Sequence, residues 1–236
     1  MSLRTILLLV VLAPTLVVAQ TLSPTERRIV SAVDARTAEA LALLERTVNI
    51  NSGTHHFAGV KAVGDVLDAE FRKLGFTTRW VDGTPWRRAG HLVVERHGSR
   101  QGPAILLIGH LDTVFERDSP LQRFERVPGD SARGPGIADM KGGNVVMLLA
   151  LRALREAGVL DHLQITAVFT GDEEDSGRPI ALARKDLTDA ADWARFALGF
   201  ENGGGAARGR DRASRLDHLA APDLGNAFPL VAGLHA

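Results

Sequence analysis

Two short apolar runs, 104–108 and 163–169, flank a helix-forming stretch at 144–157, and this spacing constrains the fold more than any other feature. An apolar run of strand length without polar alternation suits a strand covered on both faces. The stretch between them is rich in Met, Leu and Ala and closes on Gly158. Apolar strands alternating with helices predict an α/β fold, a mostly parallel sheet with helices on both faces. A weaker third run follows at 196–200, and 77–81 and 91–96 read as the first two strands of the sheet. Upstream, Ser23 caps a helix with Pro24 at its first position and Glu26 completing a capping box. Ile29, Val33, Leu41, Leu44 and Val48 then recur at helical spacing. A second helix spans 57–74, with Val60, Val63, Leu67, Phe71 and Leu74 on one face and Gly75 at its C-terminal turn. No internal repeat is present.

The ends of the chain read differently. Arg4 precedes an almost wholly apolar stretch, 5–18, and Ala19 offers a small residue before Gln20. This is the layout of a secretory signal peptide, with an uncleaved anchor as the alternative, and it predicts a periplasmic or extracellular protein. Cysteine is absent, so export brings no disulfide framework and a metal site must use His, Asp and Glu. Lys plus Arg and Asp plus Glu both number 28, so no overall field recruits nucleic acid or an anionic membrane. The expected organisation is a leader at 1–19, a catalytic-type domain at 20–203 and an atypical tail at 204–236. In the tail Arg208, Arg210, Arg212 and Arg215 crowd together among Gly and Ala. It reads as a surface tail or as a stretch that is not the domain's original continuation.

Four places put acidic or imidazole groups just past a predicted strand, where ligands of open α/β sheets gather. Gly109-His110-Leu111-Asp112-Thr113-Val114 follows the 104–108 run. An imidazole suits zinc, and a carboxylate two residues on can orient its ring. Gly134-Pro135-Gly136-Ile137-Ala138-Asp139-Met140-Lys141-Gly142-Gly143 opens the next helix, and its glycines allow close backbone approach to an ion or ligand. Thr170-Gly171-Asp172-Glu173-Glu174-Asp175-Ser176-Gly177 follows the 163–169 run. Four consecutive acids repel one another unless a cation or protons intervene. Glu201, in Gly199-Phe200-Glu201-Asn202-Gly203, is the fourth. Singly, these fit a polar loop, a helix cap, a solvated acidic loop and a lone surface acid.

Together, in order and spacing, they resemble the zinc peptidase family of glutamate carboxypeptidases, acetylornithine deacetylase, succinyl-diaminopimelate desuccinylase and aminoacylase. The wording GHLDTVF and GFENG is most similar to the glutamate carboxypeptidase branch. The resemblance covers 23–203. It implies two zinc ions, replaceable by cobalt or manganese. His110 and Glu201 would bind the first and Glu174 the second, with Asp139 bridging them before a cis peptide bond. It gives Asp112 and Glu173 catalytic parts, Asp112 supporting His110 and Glu173 serving as general base toward water. The implied reaction is hydrolysis of an amide bond beside a free carboxylate, as by a carboxypeptidase or an N-acyl-amino-acid hydrolase, on a small peptide or N-acyl amino acid. No organic cofactor is implied.

The same resemblance calls for a further histidine ligand far downstream and for an inserted lid that dimerises and grips the substrate. Neither motif occurs here, and His218 and His235 lie in unrelated contexts. The expectation is a C-terminally truncated domain, with a frameshift or premature stop behind the tail, that is monomeric or aggregating. A catalytically dead remnant and an exported metal- or solute-binding module are the alternative functions.

Overall fold

The computed structural model describes residues 22–98, 102–129 and 131–201. The expected leader at 1–19 and tail at 204–236 lie outside the described residues, as do Asn202 and Gly203. Helix α1 (Pro24–Val48) starts with the expected capping box: the Ser23 hydroxyl accepts from the Glu26 N–H, and Glu26 accepts from the Ser23 N–H at 2.6 Å. Its packed face departs from the expected stripe at Leu41: Val48 is buried and Ile29, Val33 and Leu44 are half-buried. Ala32, Ala40, Leu43, Thr47 and Val48 are buried, whereas Leu41 faces solvent. The small side chains let α1 lie close against a later helix, so alanines join Leu43 and Val48 on the buried face. In α2 (Phe57–Lys73), Val60, Val63, Leu67 and Phe71 are buried as expected, and Gly75 takes the left-handed conformation just beyond.

The sheet contains β1 (Thr77–Asp82), β2 (Gly90–His97), β3 (Ala104–His110), β6 (Gln164–Thr170) and β7 (Phe196–Gly199), in the order β1-β2-β6-β3-β7. The hairpin β4 (Glu125–Val127) and β5 (Ser131–Arg133) stands apart from it. β3 pairs in parallel with both β6 and β7, and β2 pairs antiparallel with both β1 and β6. All main-sheet strands except β2 therefore run one way, the mostly parallel arrangement that the apolar runs predict. The carboxyl ends of β3, β6 and β7 consequently share one edge.

Alternation along each strand splits the core in two. Leu92, Val94, Leu107, Ile165, Ala167 and Phe169 face α2 and α3 (Gly142–Glu156). Val93, Leu106 and Val168 face Ala190 and Ala194, at α5 (Lys185–Trp193) and its end. Helices thus cover both faces. Helix α5, and the short α4 (Ile180–Ala183) before it, were not expected from the sequence. The stretch Lys185–Trp193 is mostly polar and docks through alanines with one leucine, Leu187, so it carries no strong apolar stripe.

Candidate metal centre

Each strand of the shared edge delivers one part of the site. β3 ends on His110, whose side chain is 1% exposed. Its Nδ1 lies 3.0 Å from the Asp112 carbonyl oxygen and 3.4 Å from Asp112 Oδ1. A proton on Nδ1 shared with those oxygens leaves the Nε2 lone pair facing the site, the arrangement by which outer partners fix a ligating imidazole. The backbone of His110 is held too, because the Asn144 amide donates to its carbonyl at 2.6 Å.

Asp112 is buried and organises the loop after β6. It accepts from Thr54 Oγ1 at 2.7 Å and from the backbone N–H groups of Glu173 and Glu174 at 3.0 and 3.1 Å. Burial alone would raise its pKa. The His110 imidazole, the Thr54 hydroxyl and the Glu173 amide outweigh burial and hold it below the usual range.

Asp139 reaches the site because the chain leaves helical geometry there. Asp139 and Met140 have φ/ψ of −131°/95° and −127°/32°, and the peptide bond between them is cis. Asp139 is therefore no simple cap of α3. Gly136 before it has φ 71°, and a Cβ there would sit 2.4 Å from the Thr113 methyl. Glu201 follows β7. Its approach depends on Gly143 at the start of α3, where a Cβ would meet the Phe200 carbonyl oxygen at 2.0 Å. Gly143→Ala is expected to push the Phe200–Glu201 backbone outward and weaken metal binding by about 10–100-fold, as misplaced supporting groups do. A zinc titration against wild type checks it.

The outcome is two groups of ligand atoms, each within 4.8 Å of one another and meeting at His110: His110 with Glu173 and Glu174, and His110 with Asp139 and Glu201. His110 Nε2 lies 3.1 Å from Asp139 Oδ1 and 3.3 Å from Glu201 Oε1. All six residues singled out in the sequence thus converge. Asp139 joins the Glu201 group and is not in the group of Glu173 and Glu174. The side chains of Asp139 and Glu201 are 60% and 51% exposed, so this side of the site is open to an entering ion.

The electrostatics call for a cation. Burial pulls the His110 pKa down, but Asp112, Asp139 and Glu201 outweigh it and hold the imidazolium well above its ordinary value. Glu174 is pushed up to about 7, first by burial and then by Asp139, Asp112 and Glu173, against an opposing pull from His110. Glu173 is raised for the same first reason. An imidazole nitrogen beside two half-buried glutamates whose affinity for protons burial and neighbouring acids raise suits a divalent ion that prefers mixed N/O ligands.

A pH effect follows for the metal-free protein. Glu174 binds a proton below about 7 in the fold but only below 4.5 when unfolded, so the folded state holds more protons between these values. Stability from this group is present at low pH and lost as pH rises from about 5 to 7, and raised Glu173 acts in the same direction. Lys141, whose pKa burial lowers to about 7, acts oppositely but only above that window. Thermal melts of metal-free protein should therefore shift down between pH 5 and 7, and zinc should abolish the trend by replacing the protons.

Several supporting residues gave no sequence signal. Thr54 and Asn144 are ordinary polar residues remote from the strand-end motifs they brace. Arg184, which pairs with Asp172 at 2.6 Å, lies beyond the acidic motif.

Fold and site together define an α/β protein with a cluster of His, Asp and Glu side chains that could hold a metal ion at the carboxyl edge of its sheet. Residues 106–211 match the model of peptidase family M20/M25/M40. Over 163 residues it is 40% identical to carboxypeptidase G2 of Pseudomonas sp. (strain RS-16), covering 67% of this chain and 37% of that protein. Over 141 residues it is 30% identical to succinyl-diaminopimelate desuccinylase of Leptothrix cholodnii, covering 57% of this chain and 36% of that protein. The chain thus spans little more than a third of the length of these curated relatives. Among solved structures, human carnosine dipeptidase 1 superposes with a TM-score of 0.61 at 17% identity, over 73% of this chain and 40% of that one. That likeness speaks for the fold.

Proposed function

We propose that this chain carries the metal centre of a zinc hydrolase that cleaves an amide bond beside a free carboxylate, as a carboxypeptidase or N-acyl-amino-acid hydrolase does. The observation that carries this reading is the convergence of the two acidic groups on His110 at one sheet edge. The carboxypeptidase and the desuccinylase among its relatives support the substrate class.

His110, Asp139 and Glu201 would hold one ion, and Glu174 would contribute to a second, with Asp139 shared between them. Bound there, zinc would acidify water and polarise a substrate carbonyl. Every other task falls to the chain. Asp112 keeps the His110 ring in its ligating orientation and, through two backbone N–H groups, sets where Glu173 and Glu174 point. Glu173, half-buried and with a raised pKa, is placed to take a proton from water and return it to the departing amine. Its raised affinity for protons brings it closer to working pH, where a general base is most effective.

Export is proposed with this function, since residues 1–19 resemble a leader. N-terminal sequencing of the secreted protein should begin at Gln20, and a retained Met1 would oppose it.

The functional test is hydrolysis of a panel of N-acyl-glutamates and dipeptides by the zinc-loaded chain. Glu173→Gln is expected to lower turnover by about 10²–10⁴-fold, the usual weight of a general base, with zinc affinity retained. Zinc binding without any hydrolysis by wild type would favour a catalytically dead remnant instead.

A further inference from the structure

The acidic run 172–175 holds four carboxylates, yet only the middle two face His110. The outer two are each turned away and bound to an arginine. Asp175 pairs with Arg88 at 2.7 Å, and its carbonyl also accepts from Arg88 Nε at 2.7 Å. Asp172 is wholly buried and pairs with buried Arg184. The Arg184 fork also donates to the Asp172 carbonyl at 3.0 Å and to Ser176 Oγ at 2.6 Å. Asp172 Oδ2 in turn accepts from the Gly177 N–H at 2.9 Å, which closes the loop on itself.

One peptide group makes this arrangement more than a fold element. The amide joining Asp172 to Glu173 is held at its carbonyl by Arg184 and at its N–H by Asp112, 3.0 Å away in each case. With both ends fixed, that peptide plane cannot rotate, and the direction in which the Glu173 backbone leaves it is set. The next N–H, that of Glu174, is fixed by Asp112 as well. We infer that Arg184 is a positioning residue for the metal centre: it locks the Asp172–Glu173 peptide so that Glu173 and Glu174 are presented toward His110. This rests on the metal-centre reading proposed above.

Arginine is required by the geometry. Its planar fork serves a carboxylate, a carbonyl and a hydroxyl at once, whereas a lysine ammonium keeps the charge as a compact point on a flexible stem. A purely structural ion pair would tolerate that exchange at the site, since the neutralising charge remains. A positioning role would not.

The test uses the full chain as wild type, Arg184→Lys and Ser176→Ala. Zinc affinity is read by competition with a chromophoric chelator, and ligand geometry by the visible spectrum of the cobalt(II) form. Arg184→Lys is expected to keep a cooperative melt but bind zinc about 10–100-fold more weakly, with an altered cobalt spectrum, as loss of an orienting partner does. Ser176→Ala, which removes one anchor of the fork at a partly exposed position, should weaken binding several-fold in the same direction. If either folded variant loses thermal stability yet matches wild type in affinity and spectrum, Arg184 only holds the fold and the inference is overturned. Should Arg184→Lys fail to fold, Ser176→Ala decides alone. Absence of zinc binding by wild type would instead sink the metal-centre reading, and this inference with it.

Discussion

His110→Ala is expected to remove measurable zinc binding at the strand edge. His110 belongs to both groups of candidate ligands, and without its imidazole the first ion keeps only the Asp139 and Glu201 carboxylates. Loss of a partner that merely orients a ligand lowers affinity about 10–100-fold, so loss of the ligand itself should exceed about 100-fold. Titration calorimetry of the folded variant checks this. An affinity within a few-fold of wild type would mean that metal binds elsewhere in the chain.

Asp112→Ala is expected to have the largest effect on stability. Its carboxylate is buried, lies 3.4 Å from the His110 ring, and accepts from Thr54 and from the amides of Glu173 and Glu174. Alanine leaves those donors buried beside an imidazolium that has lost its one buried counter-charge. Removing one partner of such a buried pair costs about 3–5 kcal/mol. For a domain of this size that lowers the melting temperature by roughly 10 °C or more. Asp112→Asn should fall between, because its oxygen can still accept while its NH₂ faces donors. Equal melting temperatures for wild type and Asp112→Ala would show that the two amides find other acceptors. Zinc affinity should fall about 10–100-fold in parallel, since the His110 ring loses part of its orientation.

The parts of this fold that the sequence announces are those built on long apolar runs. The runs at 104–108 and 163–169 became β3 and β6, and each strand continues two residues or one further, to His110 and Thr170. Gly158 stands with φ 75° just past α3, in the left-handed turn that a glycine after a helix implies. Helix α5 was invisible because its contact with the sheet is made largely by alanine, which neither marks nor excludes a buried face. On α1 the same property hid part of the face, since Ala32 and Ala40 are buried while Leu41 is exposed.

The site divides similarly. His110, Asp112, Asp139, Glu173, Glu174 and Glu201 were legible because chemistry-bearing residues recur at successive strand ends, where parallel topology must bring them together. Asp139 was ambiguous with a helix cap until its non-helical backbone was seen. Thr54, Asn144 and Arg184 were not legible, since bracing residues need only the right atom at the right place. The leader at 1–19 and the Arg-rich tail lie outside the described residues.

The most direct test is an anomalous difference map at the zinc edge from crystals of the full chain grown with zinc. A peak bounded by His110 Nε2, Asp139 and Glu201, with further density beside Glu174, is the expected result. Zinc-saturated crystals without a peak at this edge, or with the ion held by other side chains, would contradict the assignment of a metal centre here.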